Sequence, residues 1–235
     1  GLVDIQIPKV PKQSPRKYIP HVFTKEELVN FFNACDTITT RTGFNGNLRR
    51  ITIPVFFRLL YSSGMRTTEV RLLRAKDIDL ENGVINIRFS KGLNQHFTVL
   101  HDSMFELMKV YDSVISKLIP NRVYFFPMNA SKGFSDQWIR YFFRKLWYQN
   151  NNTYATAYEL RHHYAVENIN KWIGQGLHTH MRLLSLSKSM GHSNVENTKY
   201  YYSLVPGLSD ILENTSQETF NEIIPKITDN EKSSQ

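Results

Sequence analysis

Cysteine is nearly missing from this chain: Cys35 is the sole one in 235 residues. No disulfide can form within the chain, and no cysteine-based zinc site can be built. Also lacking is any apolar run long enough to cross a membrane, and no secretory leader is visible. A cytoplasmic protein with no membrane partner is therefore expected. There is no Gly-rich phosphate loop, and no carboxylate cluster has the spacing of a two-metal site. Acidic residues are the minority charge, 21 against 29 Lys and Arg, which leaves a formal net charge of +8. Such an excess suits a polyanionic partner such as nucleic acid. On charge alone, a merely basic soluble protein is equally open.

What is present is a foldable chain. Hydrophobic residues make up 41% and aromatics 13% of it, as in a globular protein. Its length allows one sizeable core, or a core with a small appendage. The opening run is polar and punctuated by Pro8, Pro11, Pro15 and Pro20, so it reads as extended linker rather than helix. It starts at Gly1 rather than Met. The expectation is therefore an interdomain linker over residues 1–20, its upstream domain absent, with a natural disordered tail as the plainer alternative.

Thr24-Lys-Glu-Glu27 has the pattern of a capping box ahead of Leu28, Phe31 and Phe32, which predicts the first helix. A second helix is expected over 48–62, with Pro54 near its first turns and Gly64 breaking the chain just before Arg66. Thr67 or Thr68 would cap a short helix carrying Glu69. Residues 84–89 and 97–100 alternate like strands joined by a polar turn in which Lys91 sits. Helical periodicity returns over 102–118, 135–148 and 157–173. A further helix is expected over 180–190, stopped by Gly191. Ser193 would cap another helix bearing Tyr200, Tyr201 and Tyr202. The expected fold class is α+β: mostly helical, with one small antiparallel sheet.

Four short motifs stand out in order. The first is Gly64-Met-Arg66-Thr-Thr-Glu69, and Lys91 in the expected hairpin is the second. Tyr158-Glu-Leu-Arg161-His162 follows, and then Met190-Gly-His192-Ser193 with Tyr201 nine residues after the histidine. A guanidinium is planar, always charged and able to grip two phosphate oxygens. A phenol, with an ordinary pKa of about 10, needs positive charge around the phosphate and a nearby proton acceptor before it can attack. Together these are the parts for breaking a phosphodiester with a tyrosine.

In this order and setting the motifs resemble the tyrosine recombinase (phage integrase) family, over roughly residues 20 to 215. The resemblance implies a catalytic domain over 21–206 and a C-terminal helical segment with a polar tail over 207–235. That segment would dock on a neighbouring subunit or pack on its own domain. It implies a site-specific recombinase or integrase of a mobile element, with Tyr201 as nucleophile and a 3′-phosphotyrosine intermediate. Arg66 and Arg161 would hold the non-bridging oxygens, His192 would donate a further hydrogen bond, and Lys91 would protonate the leaving 5′-oxygen. Because the phosphotyrosine stores the bond energy, neither metal nor ATP is expected as cofactor. Expected partners are double-stranded DNA, further copies of the chain in a synaptic tetramer, and accessory DNA-bending or directionality proteins. The expected setting is the cytoplasm and nucleoid of a bacterium or the host of a mobile element.

Two departures from the family pattern stand out. Tyr158 occupies the place where most members have histidine, and a phenol is a poorer base than imidazole. It can still hydrogen-bond a phosphate oxygen or orient the nucleophile, so it stays among the candidate site residues. The stretch 170–187 is longer than usual, which predicts an added loop near Gly174-Gln-Gly176.

Plainer roles compete at several positions. Glu69 is expected to brace Arg66, His162 to pack or brace as readily as to act, and His163 to lie at the surface. Tyr141-Phe-Phe143 and Trp147 read as core. One step along a helix turns a side chain by about 100°, so only one of the three clustered tyrosines can face a phosphate. Three other readings remain: relaxation of supercoils by type IB topoisomerase chemistry, a non-catalytic DNA-binding descendant, and a metal-dependent nicking enzyme built on His178-Thr-His180.

Overall fold

A computed structural model describes residues 20–88, 95–172, 179–192, 196–199 and 201. Lys91, Ser193, Tyr200, Tyr202, the expected loop at 174–176 and the segment after Tyr201 lie outside the described residues. Eight helices and a three-stranded sheet are seen among the described residues. Helix α1, Lys25–Asp36, starts as the capping box predicts: Glu27 N donates to Thr24 Oγ1 at 3.1 Å, and Thr24 N to Glu27 Oε2 at 2.9 Å. Helix α2, Phe44–Ser63, is the central element and buries Ile53, Phe56, Phe57, Leu59 and Leu60.

Helix α2 begins four residues earlier than its apolar pattern suggests, because Gly43, at φ 116 and with no capping side chain, makes the entry. Pro54 therefore lies mid-helix rather than in the first turns. Helix α3, Thr67–Arg71, is capped by neither threonine. Its N-cap is Arg66, whose amide donates to Glu69 Oε2 at 2.7 Å. The sheet is antiparallel in the order β1, β2, β3, with β1 Ile78–Asp79, β2 Val84–Ile87 and β3 His96–Val99. Two-residue β1 is too short to leave a periodic signal. Val84 pairs with Val99 and Ile87 with His96, which joins the two expected strands as an antiparallel pair.

Helices α4, Asp102–Leu118, and α5, Asp136–Asn150, follow with N-caps His101 and Ser135. Then come α6, Glu159–Asn170, α7, Thr179–Ser189, and the short α8, Glu196–Lys199. The main core joins α1, α2 and α5 through an aromatic stack. Phe31 meets Phe143 at 4.8 Å and Phe57 at 5.3 Å, and Phe143 lies parallel to Trp147 at 5.7 Å. Tyr141 departs from the sequence reading, since it faces solvent at 58% exposure while Phe142, Phe143 and Trp147 are buried. His163 is not a surface residue either. It is half-buried, stacked on Tyr61 at 5.5 Å and edge-on to Phe23 at 5.8 Å.

A second, smaller cluster of Ala165, Ile169, Leu186 and Met190 joins α6 to α7 and includes Tyr201. No helix among the described residues is long and apolar enough to cross a membrane. Phe31→Ala removes a fully buried ring from the aromatic stack. It is expected to cost about 3–5 kcal/mol, seen as a lower urea midpoint with an unchanged m-value.

Candidate active site

Two helix ends and one helix face build the candidate site. Helix α2 stops at Gly64, which takes the left-handed conformation at φ 64. A Cβ there would lie 2.2 Å from Tyr164 Cδ1, so both the backbone angle and the space call for glycine. Buried Met65 anchors the next residue, and the chain then delivers Arg66 at the start of α3. Helix α7 stops in a Schellman motif: His192 N donates to Ser187 O and Gly191 N to Lys188 O, both at 3.0 Å. Gly191, also at φ 64, makes that turn, and a Cβ on it would meet His96 Cε1 at 2.4 Å. The motif sets the direction in which His192 leaves the helix. Arg161 comes from α6, in the layer between these two ends.

The two arginines are held mainly by main chain. Arg161 is 1% exposed. It donates from Nη1 to Gly64 O at 2.6 Å, and from Nη2 to Met190 O and to His192 Nε2, both at 2.8 Å. Among the described residues no carboxylate forms an ion pair with it, and its Nε has no hydrogen-bond partner. Arg66 Nη2 donates to Gly191 O at 3.1 Å, and its Nη1 pairs with Glu69 Oε1 at 2.6 Å. The Glu69 side chain is fully buried, so it braces Arg66 as the sequence suggests. Burial, followed by the charge of Arg66, lowers the pKa of Arg161 from its ordinary value. Two guanidinium groups thus share one close carboxylate, and the pocket carries net positive charge.

Tyr201 is 3% exposed and lies between two imidazoles. Its ring is 5.4 Å from His162, and it stacks nearly parallel to His192 at 6.3 Å and 11°. Tyr158 is 44% exposed and touches His162 edge-on at 4.9 Å, so His162 contacts both tyrosines. The structure therefore brings Arg66, Arg161, His192 and Tyr201 together, with Tyr158 exposed beside His162. Sequence reading missed two kinds of participant. Carbonyls of Gly64, Met190 and Gly191 carry no side-chain signal, although the glycines inside the first and last motifs are a trace of two of them. His162, left open in the sequence between bracing and acting, lies in ring contact with Tyr201. Thr198, fully buried on α8, has its Oγ1 2.6 Å from His192 Nδ1.

Two outcomes follow from this geometry. Burial, helped by the Arg161 guanidinium, lowers the pKa of both His162 and His192 from 6.5 to about 4. Both rings are neutral when folded, and the unfolded chain takes up their protons first as the pH falls. Stability is therefore full above pH 6.5 and is lost as the pH drops towards 4. The urea midpoint is expected to fall between about pH 7 and about pH 4.5, and His162→Gln should shrink that fall. Gly191→Ala forces a left-handed alanine against His96. It should cost more than the ~1–2 kcal/mol of backbone strain alone, read as a lowered melting temperature.

Residues 21–206 match the model of the phage integrase family. The chain is 26% identical over 206 residues to a putative integrase/recombinase, y4rE, of Sinorhizobium fredii, covering 86% of this chain and 64% of that protein. It is 25% identical over 201 residues to the tyrosine recombinase XerD of Staphylococcus epidermidis, covering 83% and 62%. The chain thus spans less than two thirds of the length of these curated relatives. Among solved structures, the XerA recombinase superposes with a TM-score of 0.65 at 18% identity, covering 88% of this chain and 67% of that one. The catalytic domain of bacteriophage HP1 integrase gives 0.53 at 16% identity, covering 87% and 97%. The fold is that of a tyrosine recombinase catalytic domain. By the match over most of its length, the chain belongs to the phage integrase family.

Proposed function

We propose that this chain carries the catalytic domain of a site-specific DNA recombinase of a mobile element, cutting and rejoining strands through Tyr201. One observation carries the reading: among the described residues Arg161 is buried with no carboxylate paired to it, beside Arg66, in a pocket that closes on Tyr201. A buried cation held by carbonyls and a neutral ring is a site prepared for an anion, and a phosphodiester supplies one. Solved structures of similar fold support duplex DNA as its source. One is XerH recombinase bound to difH substrate, with a TM-score of 0.60 and 21% identity over 78% of this chain and 50% of that one.

The phenol oxygen of Tyr201 attacks phosphorus, and the bond to the 5′-oxygen breaks. A 3′-phosphotyrosine and a free 5′-hydroxyl result. Arg66 and Arg161 turn from their carbonyls to the non-bridging oxygens, where their hold strengthens as charge builds in the transition state. His192 adds a donor, and Lys91, by family likeness, gives the leaving oxygen its proton. The phenol proton has a neutral imidazole within ring contact, His162. Attack by the 5′-hydroxyl of another strand reverses these steps on a new end. No metal or nucleotide enters the balance. Synapsis in a tetramer on DNA, with or without accessory bending proteins, belongs to the same reading.

The test is a nicked duplex spanning the ends of the host element, incubated with protein in EDTA and run on a denaturing gel. An SDS-resistant adduct is expected that Tyr201→Phe abolishes and that Tyr200→Phe and Tyr202→Phe keep. Salt-sensitive binding without any adduct, also in a chain extended to the length of its relatives, would overturn the catalytic reading in favour of a DNA-binding descendant.

A further inference from the structure

His192 makes two hydrogen bonds, and one of them dictates the sense of the other. Arg161 Nη2, 2.8 Å from His192 Nε2, can only donate. Nε2 therefore presents its lone pair. The ring is neutral, so its single proton is on Nδ1, and Thr198 Oγ1 at 2.6 Å accepts it. In the absence of DNA the histidine thus shows Arg161 an acceptor, the opposite of what a phosphate requires.

A phosphate oxygen also only accepts. When it takes the place of the Arg161 N–H, Nε2 must carry a hydrogen. For the ring to remain neutral, one proton leaves Nδ1 and one is taken up at Nε2, with no net change. Nδ1 then needs a donor. A hydroxyl accepts or donates by turning about a single bond, with its oxygen staying in place. A carboxylate at this position would hold the proton on Nδ1, and an apolar residue would leave Nδ1 without a partner in either form.

We infer that Thr198 is a positioning residue that keeps His192 hydrogen-bonded in both tautomers, letting the ring change from acceptor to donor as DNA phosphate replaces Arg161. The exchange rests on the recombinase reading; the tautomer of the free protein does not. Thr198 lies three residues before Tyr201 on the same segment, so this bond also ties the ring of His192 to the chain that carries the nucleophile.

Nitrogen-15 NMR of the histidine rings tests the idea, with the His192 signal assigned by its loss in His192→Gln. The free wild-type protein and Thr198→Ser should each show the Nδ1–H form alone, and so should Thr198→Val, because Arg161 still donates to Nε2 there. A wild-type ring in the Nε2–H form overturns the inference. With the nicked duplex bound, the wild-type ring should move to Nε2–H, and a ring that stays Nδ1–H overturns the exchange. In the adduct assay Thr198→Val should slow cleavage about tenfold at unchanged DNA affinity, while Thr198→Ser stays within about threefold. Equal slowing by serine and valine would also count against it, since serine keeps the hydroxyl. Wild-type protein that binds the duplex but forms no adduct overturns the recombinase reading instead, and the free-protein tautomer then judges Thr198 alone. The same wild-type measurement decides if Thr198→Val does not fold.

Discussion

A guanidinium that is 1% exposed has to be answered by acceptors, and around Arg161 those acceptors come from two separate parts of the chain. Gly64 O ends α2, Met190 O ends α7, and His192 Nε2 stands two residues beyond. Leaving a buried charge without such partners costs several kcal/mol, so the ends of α2 and α7 are drawn to one point on α6. The aromatic core under α2 and the small cluster under α7 hold the two helices in place. Their glycine stops then aim the carbonyls. Most of what surrounds the candidate site follows from this one requirement.

Sequence alone showed the parts that side chains announce. The Thr24 capping box, the span of α4 and the two strands of the hairpin all follow from local chemistry or simple periodicity. The grouping of Arg66, Arg161, His192 and Tyr201 was implied by the family resemblance of their motifs. Less legible were features settled by tertiary context. Tyr141 sits on the outer face of α5 although its neighbours are core, and His163 is drawn inward by Tyr61. Arg66 displaces two threonines as the cap of α3 because buried Glu69 reaches back to its amide. The carbonyls that grip the arginines are backbone groups, which no pattern of residue types can report.

Helix ends also carry a sign. The last carbonyls of an α-helix amount to about half a negative charge. Here the C-termini of α2 and α7 both face the pocket, through Gly64, Met190 and Gly191. Taken without its arginines, the backbone would therefore repel a phosphate. The guanidinium groups do more than attract: they invert the field that the fold itself creates. Removing either charge hands part of the pocket back to the helix dipoles, and the same cleft becomes one that discourages anions.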